Sequence, residues 1–141
     1  MFALLGGLIV KSEIVQRTAF AIFIFGAICT LPAFISGEGA EEILEKISDV
    51  SHKIIHEHEE KAEIFAWASY FLGVLASIGL WANWKQKSFA KILSYLILAF
   101  GVLVIFLAAQ TGTSGGEIRH PEIVKGASSK KAENTKDADD D

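Results

Sequence analysis

The chain is poor in several things, and each shortage removes a class of protein. Cysteine occurs once in 141 residues, at Cys29, so a disulfide-stapled secreted fold is excluded. Basic excess is missing: 13 Lys and Arg stand against 17 Asp and Glu, for a net charge of −4. With no basic patch to neutralise phosphates, no nucleic-acid partner is expected. Charge of either sign is absent from three stretches, Thr18–Ser36, Ile64–Trp84 and Ile92–Gln110, which are 19, 21 and 19 residues long. Each approaches the roughly 20 residues a helix needs to cross a ~30 Å hydrocarbon core. A soluble globular domain is therefore excluded. Recognisable catalytic motifs are missing as well. Gly112, Gly115 and Gly116 have no preceding strand and no Lys-Ser or Lys-Thr pair, so they make no phosphate loop. His58-Glu59 continues into Glu60 and Lys61 without the second histidine of a zinc protease. No catalytic residue is assigned, and the reading leans away from an enzyme. The charge-free stretches also hold no histidine. An ion or proton path normally needs an ionisable group at depth, despite its cost of about 3 kcal/mol. Transporter, channel and proton-pump readings are weakened, as is a haem ligated in mid-membrane.

What is present is 51% hydrophobic residues, arranged in blocks. The expected fold class is all-α, a transmembrane four-helix bundle with a truncated first helix and an amphipathic helical segment outside. A first apolar run, about residues 2–10, covers only about half a bilayer at ~1.5 Å per residue. It is not a signal peptide, because no positive charge precedes it and no small-residue cleavage site follows. It reads as the second half of a helix: either the start codon is placed late or the protein begins with a half-span. Full spans are expected at about 14–36, 64–84 and 89–110. Pro32 should kink or unwind the last turn of the first of these, and Gly37–Gly39 should end it. Residues 38–63 form a polar segment with Ile43, Ile47, Val50, Ile54 and His58 at helical spacing. Two surface helices are expected there, with a break near Ser48–Ser51. After the last span, Thr111–Gly116 reads as a glycine-rich loop. Residues 125–141 read as a disordered charged tail, and residues 1–124 as the membrane bundle.

Charge sorts these segments into two faces. The links Lys11–Arg17 and Lys85–Lys91 hold five basic residues and one acid, while residues 38–63 and the C-terminal region hold eight basic residues and sixteen acids. Short basic links face the cytoplasm. The expected location is the bacterial inner membrane, with the acidic segment and the C-terminus in the periplasm. Trp67 falls at the outer interface, and Trp81 and Trp84 at the inner one.

All four histidines then share the outer face. His58 falls on the apolar stripe and should turn towards the bundle. Three roles stay open for it: a buried hydrogen-bonded group, a haem or metal ligand, or a pH-sensing contact. His52 and His56, four apart, with Glu59 beside them, could chelate a metal, but the signal is weak and a solvated helix face explains them better. His120 precedes Pro121 and should lie in an extended turn. If the glycine-rich loop folds back, His120 meets His58 and the two could ligate haem b or, with a carboxylate, a divalent metal. Arg119 and Glu122 could instead pair with the acids of residues 38–63. In the span at about 64–84, Ser69, Gly73 and Ser77 form a small-residue stripe that admits another helix closely. The partners implied are the lipid bilayer and either another membrane protein or further copies of this chain.

Three runs carry a resemblance. They are Leu31-Pro-Ala-Phe-Ile-Ser-Gly-Glu-Gly-Ala-Glu-Glu, Ile54-Ile-His-Glu-His-Glu-Glu-Lys-Ala and Thr111-Gly-Thr-Ser-Gly-Gly-Glu-Ile-Arg-His. In order and spacing they resemble a family of uncharacterised bacterial membrane proteins, domain-of-unknown-function family twenty-two thirty-one. The resemblance covers about residues 1–125. It implies four membrane helices and marks Gly37, Glu38, Ala40, Glu41, Glu42, His58, Glu59, Thr111, Gly112, Gly115, Gly116 and His120. Gly37, Glu38, Glu41, Glu42, Gly112, Gly115, Gly116 and Arg119 are expected to form a structural cap at the outer mouth. One departure stands out: the family's first helix opens with a His-Phe-Pro-like stretch, whereas Met1 stands in the middle of that helix.

Overall fold

A computed structural model describes residues 1–47 and 52–119. It is all-helical over these residues, with α1 (Phe2–Ile9), α2 (Glu13–Ile47), α3 (His52–Trp84) and α4 (Ala90–Arg119). The contacts between helices set an up-and-down order. Gly7 of α1 meets Gln16 of α2, Ala27 and Phe20 of α2 meet Gly73 and Gly79 of α3, and Gly79 meets Ile97 of α4. The central helix is α3, which packs along both α2 and α4, while α1 touches α2 and α4. At one end, then, four helices surround the core; beyond the reach of α1 only three remain.

Two tight turns at that end share one design. The α1–α2 turn places Lys11 in the left-handed region, and the α3–α4 turn does the same to Gln86. In each, the residue after it closes a wide bond back into the helix, Ser12 N to Gly7 O and Lys87 N to Ala82 O, both 2.9 Å. This is the helix-ending pattern usually given to glycine. The start of α2 is marked by Ser12, whose Oγ accepts from Val15 N at 3.5 Å, and by Glu13 in the first turn, where a negative charge suits the helix dipole.

The buried core takes side chains from every helix: Leu4, Ala19, Phe20, Leu72, Ala76, Ile97 and Val104. Small residues let the helices close on it. A β-carbon at Gly73 would lie 2.5 Å from Ala27 Cβ, and one at Gly79 would lie 2.6 Å from Ile97 Cδ1. The stripe of Ser69, Gly73 and Ser77 is therefore engaged at Gly73 by α2 of the same chain rather than left open for a partner helix. Ser69 is buried, and exposed Ser77 turns its hydroxyl back to Gly73 O at 2.8 Å.

Outward, the pattern inverts. Ile22, Phe25, Ile28, Leu31 and Ile35 line the exposed side of α2, and Ile64, Trp67, Phe71, Val74, Ile78 and Trp81 that of α3. Apolar side chains at helical spacing that face away from the core would be untenable in water at this density. They are what a hydrocarbon solvent asks for. Three helical stretches, Glu13–Gly37, Ile55–Trp84 and Ala90–Gly116, are long and apolar enough to cross a bilayer. The eight residues of α1 rise only about 12 Å and do not cross.

The helices differ from the sequence expectation at their polar ends. Pro32 does not stop α2, which continues through Gly37–Gly39 to Ile47. Helical hydroxyls near it stay satisfied, Thr30 on Gly26 O at 3.0 Å and Ser36 on Ala33 O at 2.9 Å, and proline is tolerated in such apolar helices. Of the two expected surface helices, the first is an extension of α2 rather than a separate element, and the second runs straight into the span of α3; the break expected at Ser48–Ser51 lies outside the described residues. Thr111–Gly116 is not a loop either, because α4 runs on to Arg119. Glycine costs a helix about 1 kcal/mol relative to alanine, but here the hydroxyls find their partners inside the helix instead of competing with it. Thr111 bonds Leu107 O, Thr113 bonds Ala109 O and Ser114 bonds Thr111 O, at 3.0, 2.8 and 3.0 Å. The expected tail, residues 125–141, lies outside the described residues.

Candidate functional site

Two polar clusters close the two ends of the bundle. At one end, antiparallel α3 and α4 bring His58 opposite Ser114 and Gly115. His58 Nδ1 lies 2.9 Å from Ser114 Oγ, and that hydroxyl also reaches Thr111 O at 3.0 Å. A hydroxyl has one proton. If it goes to the carbonyl, which cannot donate, the imidazole donates from Nδ1. The network thus assigns the Nδ1–H tautomer and leaves the Nε2 lone pair uncommitted to this bond. Gly115 makes the approach fit, since a β-carbon there would lie 3.2 Å from His58 Cε1. One turn deeper, Thr111 Oγ1 crosses to Lys61 O at 3.1 Å while sharing its proton with Leu107 O. His58, Ser114 and Thr111 therefore join α3 to α4 by two hydrogen-bonded steps one turn apart.

Beside this seam lies an open groove of about 410 Å³, lined by Lys61, Phe106, Ala109, Gln110, Thr113 and Ser114. Lys61 Nζ is held by Glu57 Oε1 at 2.8 Å. His56 faces away from the seam: its Nδ1 is 2.9 Å from Glu59 Oε2, with both side chains largely exposed. Among the described residues no three His, Cys, Asp or Glu side chains gather as a metal site. Gly37 and Gly39 lie within α2 and Gly112 and Gly116 within α4, each with open space where a side chain would be. These four glycines mark no close approach; Gly115 does. The side chains of Glu38, Glu41, Glu42, His52 and Arg119 lie outside the described residues, as does all of His120. The glycine-rich stretch is helical rather than a loop, and His58 meets Ser114; the expected pairing of His120 with His58 lies outside the described residues.

The opposite end holds a cluster that sequence reasoning passed over. Asn83, 7% exposed, and Gln16, 9% exposed, lie between α3 and α2. Arg17 Nε donates to Asn83 Oδ1 at 2.7 Å, and Arg17 Nη2 to Glu13 Oε2 at 2.9 Å. Asn83 Nδ2 donates to Gln16 Oε1 at 3.4 Å, and Gln16 Nε2 to Gly7 O of α1 at 3.1 Å. Gln86 Nε2 closes the ring on Glu13 Oε2 at 2.7 Å and Asn83 O at 3.1 Å. Three helices and both turns are tied by neutral amides and one ion pair. No buried side-chain nitrogen or oxygen among the described residues is left without a partner. A signal was available: Gln16 interrupts an apolar period, and Asn83 sits between Trp81 and Trp84 in a stretch without charge. Ser114 was less legible, because its role depends on α4 continuing past Gln110.

Chemically, the seam between α3 and α4 presents one imidazole nitrogen beside a hydroxyl-bearing groove whose lysine is paired with Glu57, and the other end presents a locked clasp under exposed lysines. Of the residues considered for haem or metal, His58 is the one described with a ring nitrogen uncommitted to its bond with α4. No known protein family, curated protein or solved structure matches the chain. What stands without such a match is an all-helical chain with three helices suited to spanning a membrane.

Proposed function

We propose that this chain is a small multi-pass subunit or scaffold of a bacterial inner membrane, with a non-catalytic polar closure at its periplasmic mouth. The observation that carries this reading is the His58 Nδ1–Ser114 Oγ bond of 2.9 Å. It engages the most chemically versatile side chain of the outer face in holding α4 against α3. The orientation rests on charge: the ends of the bundle bearing Lys11 and Lys85–Lys91 would face the cytoplasm. Membership of domain-of-unknown-function family twenty-two thirty-one belongs to the same proposal and rests on the order of its three motifs.

A second reading is favoured by one feature, the Nε2 lone pair of His58. It would serve as an axial ligand to haem or as one donor to a divalent metal, with electron transfer as the function. One experiment separates the two. The detergent-purified chain is scanned in the visible, oxidised and then dithionite-reduced, with elemental analysis of the same sample. The subunit reading expects no Soret band and no stoichiometric metal, and His58→Ala that alters stability alone. A Soret band that sharpens on reduction and disappears in His58→Ala overturns it in favour of the haem reading.

A further inference from the structure

The cytoplasm-like end of the bundle carries a feature the closure at the other end does not explain. Lys11, Lys85, Lys87 and Lys91 are all exposed, and none is in an ion pair among the described residues. Among the described residues the one acid at this end, Glu13, is already taken by Arg17 and Gln86, at 2.9 and 2.7 Å. The Gln86–Glu13 bond holds the α1–α2 and α3–α4 turns together, so the four lysines belong to one rim rather than to two separate links. Lys11 occupies a left-handed position, φ 57°, that glycine fills more easily. Exposed Trp81 and Trp84 stand at the same level, half and nearly three-quarters accessible, and the Lys87 ammonium lies 5.6 Å from the Trp81 ring centroid. Immediately above them begin the exposed apolar faces of α3 and α4.

Uncompensated cations, indole rings and hydrocarbon-facing side chains follow one another along the helix axes. Only one kind of partner offers phosphate, interface and acyl chain in that order. We propose that this rim is a binding surface for anionic phospholipid headgroups, with the lysines on the phosphates and Trp81 and Trp84 at the glycerol level. A diffusible phosphate would use the lysines but not the indoles, and an acidic protein segment would leave the adjoining apolar faces unexplained.

The test uses the full chain, in a Trp67→Phe background so that only the rim tryptophans report, reconstituted in vesicles of dioleoyl phosphatidylcholine. A fixed fraction of either brominated phosphatidylglycerol or brominated phosphatidylcholine is added, and tryptophan quenching is compared at low and high salt. The expected result is stronger quenching by the brominated phosphatidylglycerol, with a preference that shrinks as salt rises. Lysines near a charged surface each contribute about a fivefold preference. Lys85→Gln, Lys87→Gln and Lys91→Gln combined should therefore lower the preference about fivefold or more. Lys61→Gln, at the other end, should leave it unchanged, and the three lysines replaced by arginine should retain it. Equal quenching by the two lipids overturns the proposal. So does a preference that survives the triple glutamine variant, or one abolished by inorganic phosphate at matched ionic strength.

Discussion

His58 and Ser114 form a pair whose value can be isolated. An interhelical hydrogen bond in a membrane contributes about 0.6 kcal/mol on average and up to about 1.7. His58→Ala and Ser114→Ala should each destabilise the chain by about 0.6–1.7 kcal/mol in reversible unfolding from detergent. The double variant should cost little more than either alone, because both remove the same bond; strictly additive losses would show that the two side chains act separately. Glycines offer a second contrast at this scale. Gly73→Ala places a methyl against Ala27 Cβ and should cost about 1–3 kcal/mol as the helices are forced apart. Gly26→Ala, with nothing within 4 Å, should be neutral or stabilising by up to about 1 kcal/mol. Both are read in the same unfolding assay, and adding Ala27→Gly to Gly73→Ala should recover most of the loss.

At the scale of the element, α4 is the informative case. Its glycine-rich end is helical where α4 packs on α3: Gly115 lets His58 approach and bond Ser114, and Thr111 reaches Lys61 O. Amide exchange in detergent micelles should therefore show protection carried past Gln110 to about Gly115, and a boundary at Gln110 would restore the loop. Gly112→Ala and Gly116→Ala meet open space and should each stabilise by up to about 1 kcal/mol. In a loop the same changes would bring no such gain. The same logic explains α2. A proline in an apolar helix loses one backbone bond, yet no competing structure in hydrocarbon satisfies the remaining groups better.

For the whole molecule, the clasp of Gln16, Arg17, Asn83 and Gln86 is what ties α1, α2 and α3 at one end. Asn83→Ala withdraws the acceptor of Arg17 Nε and the donor to Gln16 Oε1 together. A loss of about 1–3 kcal/mol is expected, measured by thermal unfolding, and it should exceed that of Gln86→Ala, which keeps the buried amides paired. Orientation is also a property of the whole chain. On the proposed topology, Lys85→Cys in a Cys29→Ser background should react with an impermeant thiol reagent only after the cytoplasmic face is opened. Labelling in intact cells would reverse the assignment.

The all-α membrane architecture was legible from the sequence because it depends on one-dimensional facts. Long uncharged apolar runs have few places to go other than hydrocarbon, and each helix satisfies its own backbone there without reference to its neighbours. The position of His58 on an apolar stripe was likewise a matter of period. Where polar helices end was not legible, because glycine, proline and hydroxyl residues read as breakers on solvent propensities, and those propensities are overridden where α3 and α4 press together. Nor could any spacing announce that His58 would meet Ser114, 56 positions away, or that Asn83 would meet Arg17, 66 positions away. Those pairings follow from antiparallel packing and from which glycine lets which helix approach, and only the tertiary structure decides them.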